Sequence, residues 1–415
     1  MHILFLTDNF PPEVNAPASR TFEHCREWVK AGARVTVITC APNFPKGKVY
    51  PGYRNRLVSR ETMEGIEVVR VWSYMTANEG LFRRSLDYAS FMVAATLASL
   101  SVRDVDIVVA TSPQFFSACA GRMVSVLKRR PFVFELRDLW PESIRAVGAV
   151  KDGPVIRLLE RLEAHLYARA DAIVAVTHAF RDTLVERGVA AARVHVVTNG
   201  VDLSRFSPRA RDGALAASLG LEGKFVAGYV GTHGMAHALE TLLRAADRLR
   251  HRPDIAFLFL GDGAQRAALE ARAAEMELPS VLFLDSVPKS DVPRYWSLLD
   301  VSVIHLRRTK LFTTVIPSKL FECMAMGVPV LHGVAGESAA IVRREGCGLV
   351  FEPEDDRQLA EIIAALADDP ARCTTFAAAG QAAAARYDRT SLAASMLAIL
   401  EQIVQGRRMT PGGAD

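Results

Sequence analysis

The chain has 415 residues, too many for one compact domain and comfortable for two of about 200 each. Half of the residues are hydrophobic and 23% are charged, a globular balance that excludes a disordered chain. A formal net charge of +4 is too small to make nucleic acid the expected partner, although residues 1–130 hold 17 Lys/Arg against 11 Asp/Glu. The six cysteines are scattered with no CxxC pair, which argues against a structural zinc site and a disulfide scaffold and fits a reducing cytoplasm. The opening run HILFLT is too short for the apolar segment of a signal peptide and meets Asp8 at once.

Short apolar runs then recur along the chain. They are ILFLT, RVTVITC, IEVVRVW, VDIVVAT, FVFEL, AIVAV and VHVVT up to residue 198, then FVAGYV, IAFLFL, VLFLD, DVSVI, VPVLH and GLVF from residue 225. Runs apolar on both faces, separated by stretches of helical spacing, predict βαβ crossovers and parallel sheets covered by helices. Residues 204–224, rich in Pro, Gly and charge, interrupt the rhythm. The expected division is 1–205 and 206–387, two Rossmann-like doubly wound domains facing one another, followed by a helix from 388 and a frayed tail from 405. Ligands of such sheets bind beyond the carboxyl ends of the strands. Residues 88–102 carry no charge and lie between Arg83–Arg84 and Arg103. Fifteen residues fall short of the roughly 20 needed to span a bilayer, and the crossover from IEVVRVW to VDIVVAT needs a helix there.

The most informative segment is IPSKLFECMAMGVPVLHGVAGESAAIV, residues 316–342. Pro317-Ser318 suits a helix start and Gly327 a helix stop. Lys319 then stands in the first turn, where amide donors and the positive helix end favour an anion. Glu322 lies three residues on, near the same face. A cation at an amide-rich helix start suits a diphosphate, and a carboxylate one turn later suits ribose hydroxyls. The same spacing also suits a surface Lys–Glu pair. Gly231 and Gly234, like Gly261 and Gly263, follow strands, so their backbone can approach a phosphate or form a plain tight turn. Asp138 and Glu142 follow FVFEL and can orient an acceptor hydroxyl, or pair with Arg137 and Arg145. Asp104-Val105-Asp106 spells a metal-binding DxD, but it precedes its strand and so falls on the wrong sheet edge; no metal is expected.

Taken with DNFPPEVNAPASR (8–20), APNFPKGKVYPGY (41–53), TSPQFF (111–116), ELRDLWPES (135–143), TNGVDLSRFSP (198–208), GTHGMAHALETLL (231–243) and FLGDGA (259–264), this segment resembles the family-4 retaining glycosyltransferases of the GT-B fold. The set RDLWP, GTHGM and PSKLFE resembles bacterial O-antigen and exopolysaccharide transferases of the N-acetyl-fucosamine type. The resemblance implies transfer from a UDP-sugar to a polyprenyl-diphosphate-linked saccharide, with retention, no metal and no other cofactor. The expected location is the cytoplasm, peripherally at the inner face of the plasma membrane. Glu322 matches the ribose-binding glutamate and Lys319 a phosphate-facing, catalytic position. Gly231, Thr232, His233, Gly261, Gly263, Arg307 and Glu337 complete the expected donor site. Asn15, Arg20, Arg137 and Glu142, with Asp138 as a second catalytic group, form the expected acceptor site.

This chain departs from the family pattern in three places. Thr314 stands where a first glutamate is usual, which leaves sugar orientation to Glu337 or to amides near Gly333–Gly336. GTHGMAH offers Thr232, His233 and His237 in place of the usual Arg and Lys, which leaves the diphosphate to Lys319 with Arg307 or Arg308. Arg137-Asp138 stands where many relatives carry a His. A nucleotide-sugar 2-epimerase of the same fold and a catalytically silent binding protein at the membrane surface are the rival readings. Lys46, Lys48, Arg54, Arg56 and Arg60, in a stretch free of Asp and Glu, suggest with the uncharged 88–102 segment a face that rests on anionic lipid.

Overall fold

The computed structural model describes residues 1–13, 15–44, 47–76, 81–112, 114–140, 142 and 153–409. The chain forms two units, residues 1–198 with 389–415 and residues 199–388. The first runs β1 (His2–Leu6), α1 (Ala16–Lys30), β2 (Arg34–Cys40), β3 (Val58–Met63), β4 (Ile66–Val71), α2 (Leu81–Leu100), β5 (Ile107–Thr111), α3 (Phe115–Lys128), β6 (Phe132–Leu136), α4 (Pro154–Arg169), β7 (Ala172–Ala175), α5 (His178–Glu186) and β8 (Val194–Val196). Its eight-stranded sheet has the order β3-β4-β2-β1-β5-β6-β7-β8. All neighbours are parallel except β3, which pairs antiparallel with β4 at the edge. Chain order reverses between β1 and β5, so the ligand-binding crevice of this sheet lies beyond their carboxyl ends.

The second unit runs α6 (Gly213–Ser218), β9 (Phe225–Val230), α7 (Glu240–Arg248), β10 (Ile255–Leu260), α8 (Arg266–Glu275), β11 (Val281–Leu284), α9 (Val292–Trp296), β12 (Val301–His305), α10 (Lys319–Met326), β13 (Val330–Gly333), α11 (Glu337–Glu345), β14 (Gly348–Val350), α12 (Asp356–Ala367) and α13 (Pro370–Ala384). Its six strands are all parallel, in the order β11-β10-β9-β12-β13-β14, with the reversal between β9 and β12. The strand alternation explains why both faces must be covered. Ala256, Leu258 and Leu260 of β10 pack with Leu320, Phe321 and Met324 of α10, while Ile255, Phe257 and Phe259 pack with Leu242 and Leu243 of α7 and Leu359 and Ile363 of α12. Truncating a buried leucine here, such as Leu258, would cost about 2–5 kcal/mol.

The division falls at Thr198–Asn199, a few residues before the 205/206 boundary expected from composition. The closing helix α14 (Arg389–Met409) belongs to the first unit and does not stand alone. Trp28 Nε1 donates to Ala393 O at 2.8 Å, Arg389 pairs with the buried Glu23, and Met396 and Leu400 are fully buried. The helix also runs beyond residue 404, where fraying was expected, with Arg407 lying 3.5 Å from Asp171 on the same unit. The tail 410–415 and Lys46 lie outside the described residues.

Candidate functional site

In the second unit the carboxyl end of β9 meets the first turn of α10. Pro317 and Ser318 precede the helix and Gly327 ends it in the left-handed region at φ 69°. That punctuation fixes Lys319 as the first helical residue and puts Glu322 one turn along. The Lys319 ammonium is 3.7 Å from the centroid of the Tyr229 ring. It is buried and has no hydrogen-bond partner. Burial pushes it down to about 8. The ring face compensates part of the lost hydration, but three N–H donors are left without an acceptor. Such a group is complementary to an anion with several oxygens.

Glu322 is held above the ordinary carboxylate range by burial, opposed by Lys289, Lys319 and Arg205. The fully buried Trp296 indole faces Glu322 without completing a well-formed hydrogen bond. Lys289, in the loop after β11, is likewise pushed down to about 8, by burial first. A carboxyl group near two lysines, one of them the buried ammonium that lacks an acceptor, can hold a hydroxylated group next to an oxyanion.

The glycines around this point do not offer free amides. Gly231 N–H donates to Leu260 O at 2.9 Å, Gly261 N–H to Leu284 O at 3.1 Å, and Gly263 N–H to Asp262 Oδ1 at 2.7 Å. Their role is close approach. A Cβ on Gly231, at φ 136°, would lie 2.8 Å from Lys319 Nζ, and one on Gly261, at φ 144°, would lie 2.0 Å from Gly231 O. His233 differs from the expectation of a donor-facing polar group. Its ring is buried among Tyr229, Phe259 and Phe283, neither nitrogen has a partner, and burial pushes it down to about 4, so it is neutral near pH 7. His237 is pushed down to about 3 by burial and Lys319, so it supplies no cation either.

Thr232, just before His233, is exposed. Arg307 is exposed and lines a separate pocket of about 120 Å³ with Gly234, Thr241, Arg244, Gln265 and Glu354. Glu337 opens α11 directly after Gly336, whose Cβ would strike Thr313 O at 1.9 Å. Thr314 spends its hydroxyl on Leu311 O at 2.6 Å.

In the first unit, Asn15 caps α1 by accepting from Ala18 N–H at 2.9 Å. Arg20, expected to meet an acceptor, is 2% exposed. It donates to Glu135 at 2.8 Å, to Thr198 O at 2.6 Å and to Val197 O at 2.9 Å. Glu142 pairs with Arg187 at 2.5 Å; Arg145, its expected partner, lies outside the described residues. Arg137 follows β6, donates to Pro17 O at 3.1 Å and is pushed down to about 10 by burial, against the pull of Glu135. Ser112 Oγ accepts the backbone N–H groups of Arg137 and Asp138 at 2.8 and 3.2 Å, which ties the ends of β5 and β6 together. Trp140 stacks on Phe115 with centroids 4.8 Å apart. Arg137 and Asp138 thus follow the carboxyl end of β6, Arg20 is buried in its ion pair with Glu135, and Glu142 pairs with Arg187 at the surface.

Tyr229, Lys289, Trp296 and Arg205 were missed in the sequence. Lys289 could have been found, since it follows VLFLD at the same carboxyl edge that singled out Gly261. Asp104 and Asp106 precede β5, and Asp106 accepts from His2 N–H at 2.8 Å.

Two family descriptions match the chain. Residues 15–200 match a glycosyl transferase 4-like domain and residues 224–369 the group 1 glycosyl transferases. WcaI of Escherichia coli, a glycosyl transferase named for colanic acid biosynthesis, is 28% identical over 79% of this chain and 82% of its own. D-inositol 3-phosphate glycosyltransferase 1 of Catenulispora acidiphila is 30% identical over 65% of this chain and 68% of its own. Sucrose-phosphate synthase from Thermosynechococcus elongatus superposes with a TM-score of 0.78 at 18% identity, covering 98% of this chain and 100% of that one. Anabaena HepE in complex with UDP-glucose gives 0.71 at 19% identity, covering 97% and 100%.

Proposed function

Because the chain belongs to the glycosyltransferases of the family-4-like and group 1 type, with the GT-B architecture, we propose that it moves a sugar from a UDP-sugar to a lipid-linked saccharide acceptor in surface-polysaccharide assembly. The donor sugar is an N-acetylated deoxyhexosamine, in keeping with the RDLWP, GTHGM and PSKLFE set. The observation that carries the reading is the buried, acceptor-less ammonium of Lys319 at the start of α10, one turn from Glu322. A diphosphate satisfies the first and a ribose the second. The WcaI likeness and the HepE complex with UDP-glucose support a polysaccharide product and a UDP donor.

In this reading the bond from the anomeric carbon to the diphosphate oxygen breaks as Lys319 stabilises the charge that develops there. The acceptor oxygen attacks the same face, its proton passes to the departing phosphate, and configuration is retained. Arg137 and Asp138, with Asn15, are the acceptor-side groups, and no metal takes part. The enzyme works at the cytoplasmic face of the membrane; among the described residues no helix is long and apolar enough to cross one. Calorimetric titration with UDP, GDP and a panel of UDP-sugars tests the donor. UDP and one or more UDP-sugars are expected to bind, with GDP weaker. Binding of GDP in preference to UDP overturns the donor assignment.

A further inference from the structure

Helices α2 and α3 lie side by side on one face of the first sheet, because both crossovers, β4 to β5 and β5 to β6, run in the same direction across it. Beyond Arg83 and Ser85 at the start of α2 and the half-buried Arg122 of α3, their outward positions are largely apolar. Val93, Leu97 and Leu100 on α2, at helical spacing, and Met123, Val126 and Leu127 on α3 are each between 45% and 63% exposed. A helix of a water-facing layer normally carries its charges there. Instead, α2 has no charged residue after Asp87.

Charge is gathered at the rim. Lys128 bridges the two helix ends, donating to Val102 O at 2.6 Å and reaching Leu100 O at 3.5 Å. Arg103, Arg129 and Arg130 are exposed around it, and Arg83 is exposed at the opposite end of α2. The edge strand β3 abuts the same corner, since Arg60 reaches Ser101 Oγ at 3.0 Å as well as Glu67 at 2.7 Å. Lys48, Arg54 and Arg56, upstream of that strand, are exposed too. Among the described residues Asp87 is half-buried, Glu67 pairs with Arg60 and Asp106 holds His2 N–H, while Asp104 is exposed.

We propose that the α2–α3 face docks onto an anionic lipid bilayer, its six apolar side chains entering the headgroup–acyl boundary and its basic rim meeting lipid phosphates. A second copy of the chain is disfavoured as the occupant, because matching basic rims would repel. The inference rests on the proposed function for its use, namely delivery of a lipid-linked acceptor, and it adds α3 to the 88–102 segment and basic stretch singled out in the sequence.

The test is sedimentation of the full chain with vesicles of phosphatidylglycerol and phosphatidylcholine, and of phosphatidylcholine alone. The variants are Leu97→Glu/Val126→Glu and Arg129→Gln/Arg130→Gln, with UDP affinity measured on each. The protein is expected to bind the anionic vesicles, less so at high salt. The acidic double variant should lose at least about tenfold in partition with UDP affinity unchanged. The arginine variant should weaken binding at low salt and differ little at high salt. Unchanged partition of the acidic variant, absence of vesicle binding by the parent, or a dimer in ultracentrifugation that the acidic variant dissolves would overturn the proposal. Absence of UDP binding by the parent would instead count against the donor reading and leave the lipid face standing.

Discussion

Replacing Lys319 by methionine should make the protein more stable and a worse nucleotide binder at the same time. Burial moves the ammonium from 10.5 to about 8. At 1.36 kcal/mol per unit, the folded state holds that charge at a cost of up to about 3 kcal/mol. Between pH 8 and 10.5 the unfolded chain binds more protons at this site than the folded one, so native stability rises with pH across that window; below pH 8 the full cost is present. Methionine keeps most of the stem packing but loses the contact with Tyr229. A net gain of about 1–2 kcal/mol at pH 7 is expected, vanishing above pH 10.5. UDP, by contrast, loses a charge-assisted partner worth about 1.5–3 kcal/mol, or roughly 10- to 150-fold in affinity. For the parent protein, UDP affinity should fall as pH rises above 8, with proton uptake on binding near pH 8.5. Urea unfolding at pH 7 and 10.5, with calorimetry of UDP in buffers of different ionisation enthalpy, measures all of these. A Lys319→Met protein that is less stable at pH 7, or that binds UDP as the parent does, refutes the reasoning.

Glu322→Gln should weaken UDP binding by about 1–3 kcal/mol with the fold intact, since a charged acceptor becomes a neutral one; unchanged calorimetric affinity would remove Glu322 from the site. Gly261→Ala should destabilise by at least about 2–3 kcal/mol, because the new Cβ meets Gly231 O at 2.0 Å with φ at 144°, and thermal unfolding reads this directly. Arg20→Met leaves Glu135 without its ion-pair partner and Val197 O and Thr198 O without their donor, a loss of about 3–5 kcal/mol that Arg20→Met/Glu135→Leu should recover in part. If Arg20 instead serves an acceptor, the double variant regains stability no better than the single one and acceptor KM carries the effect. Turnover should persist in excess EDTA; loss restored by Mg²⁺ or Mn²⁺ would mean that a metal takes part.

Much of the fold was legible because strands covered on both sides must be apolar throughout. Each of the thirteen apolar runs holds all or most of a strand of one sheet or the other. The strand that escaped, β3, reads VSRETM, charged and half-exposed at a sheet edge, where nothing demands an apolar run. Lys319 and Glu322 were legible from local punctuation, Pro-Ser before the helix and Gly after it. Their neighbours were not, because Tyr229 and Lys289 are brought in by strand order rather than by spacing. The surroundings of His233 were hidden for the same reason: Phe259 and Phe283 reach its ring from the next two strands. Arg20 and Glu135 stand 115 residues apart, and only the β1–β5–β6 order makes them an ion pair.

The most direct test of the account is transfer itself. The purified protein is incubated with each UDP-sugar and a bacterial membrane lipid extract, and the lipid products are resolved by mass with the new linkage assigned by NMR. The account predicts a lipid-linked saccharide heavier by one sugar residue, formed from one UDP-sugar with the anomeric configuration of the donor kept, and lost in Lys319→Met. Conversion of the UDP-sugar to an isomer without any lipid extract, or donor binding with no product on any lipid, would contradict it.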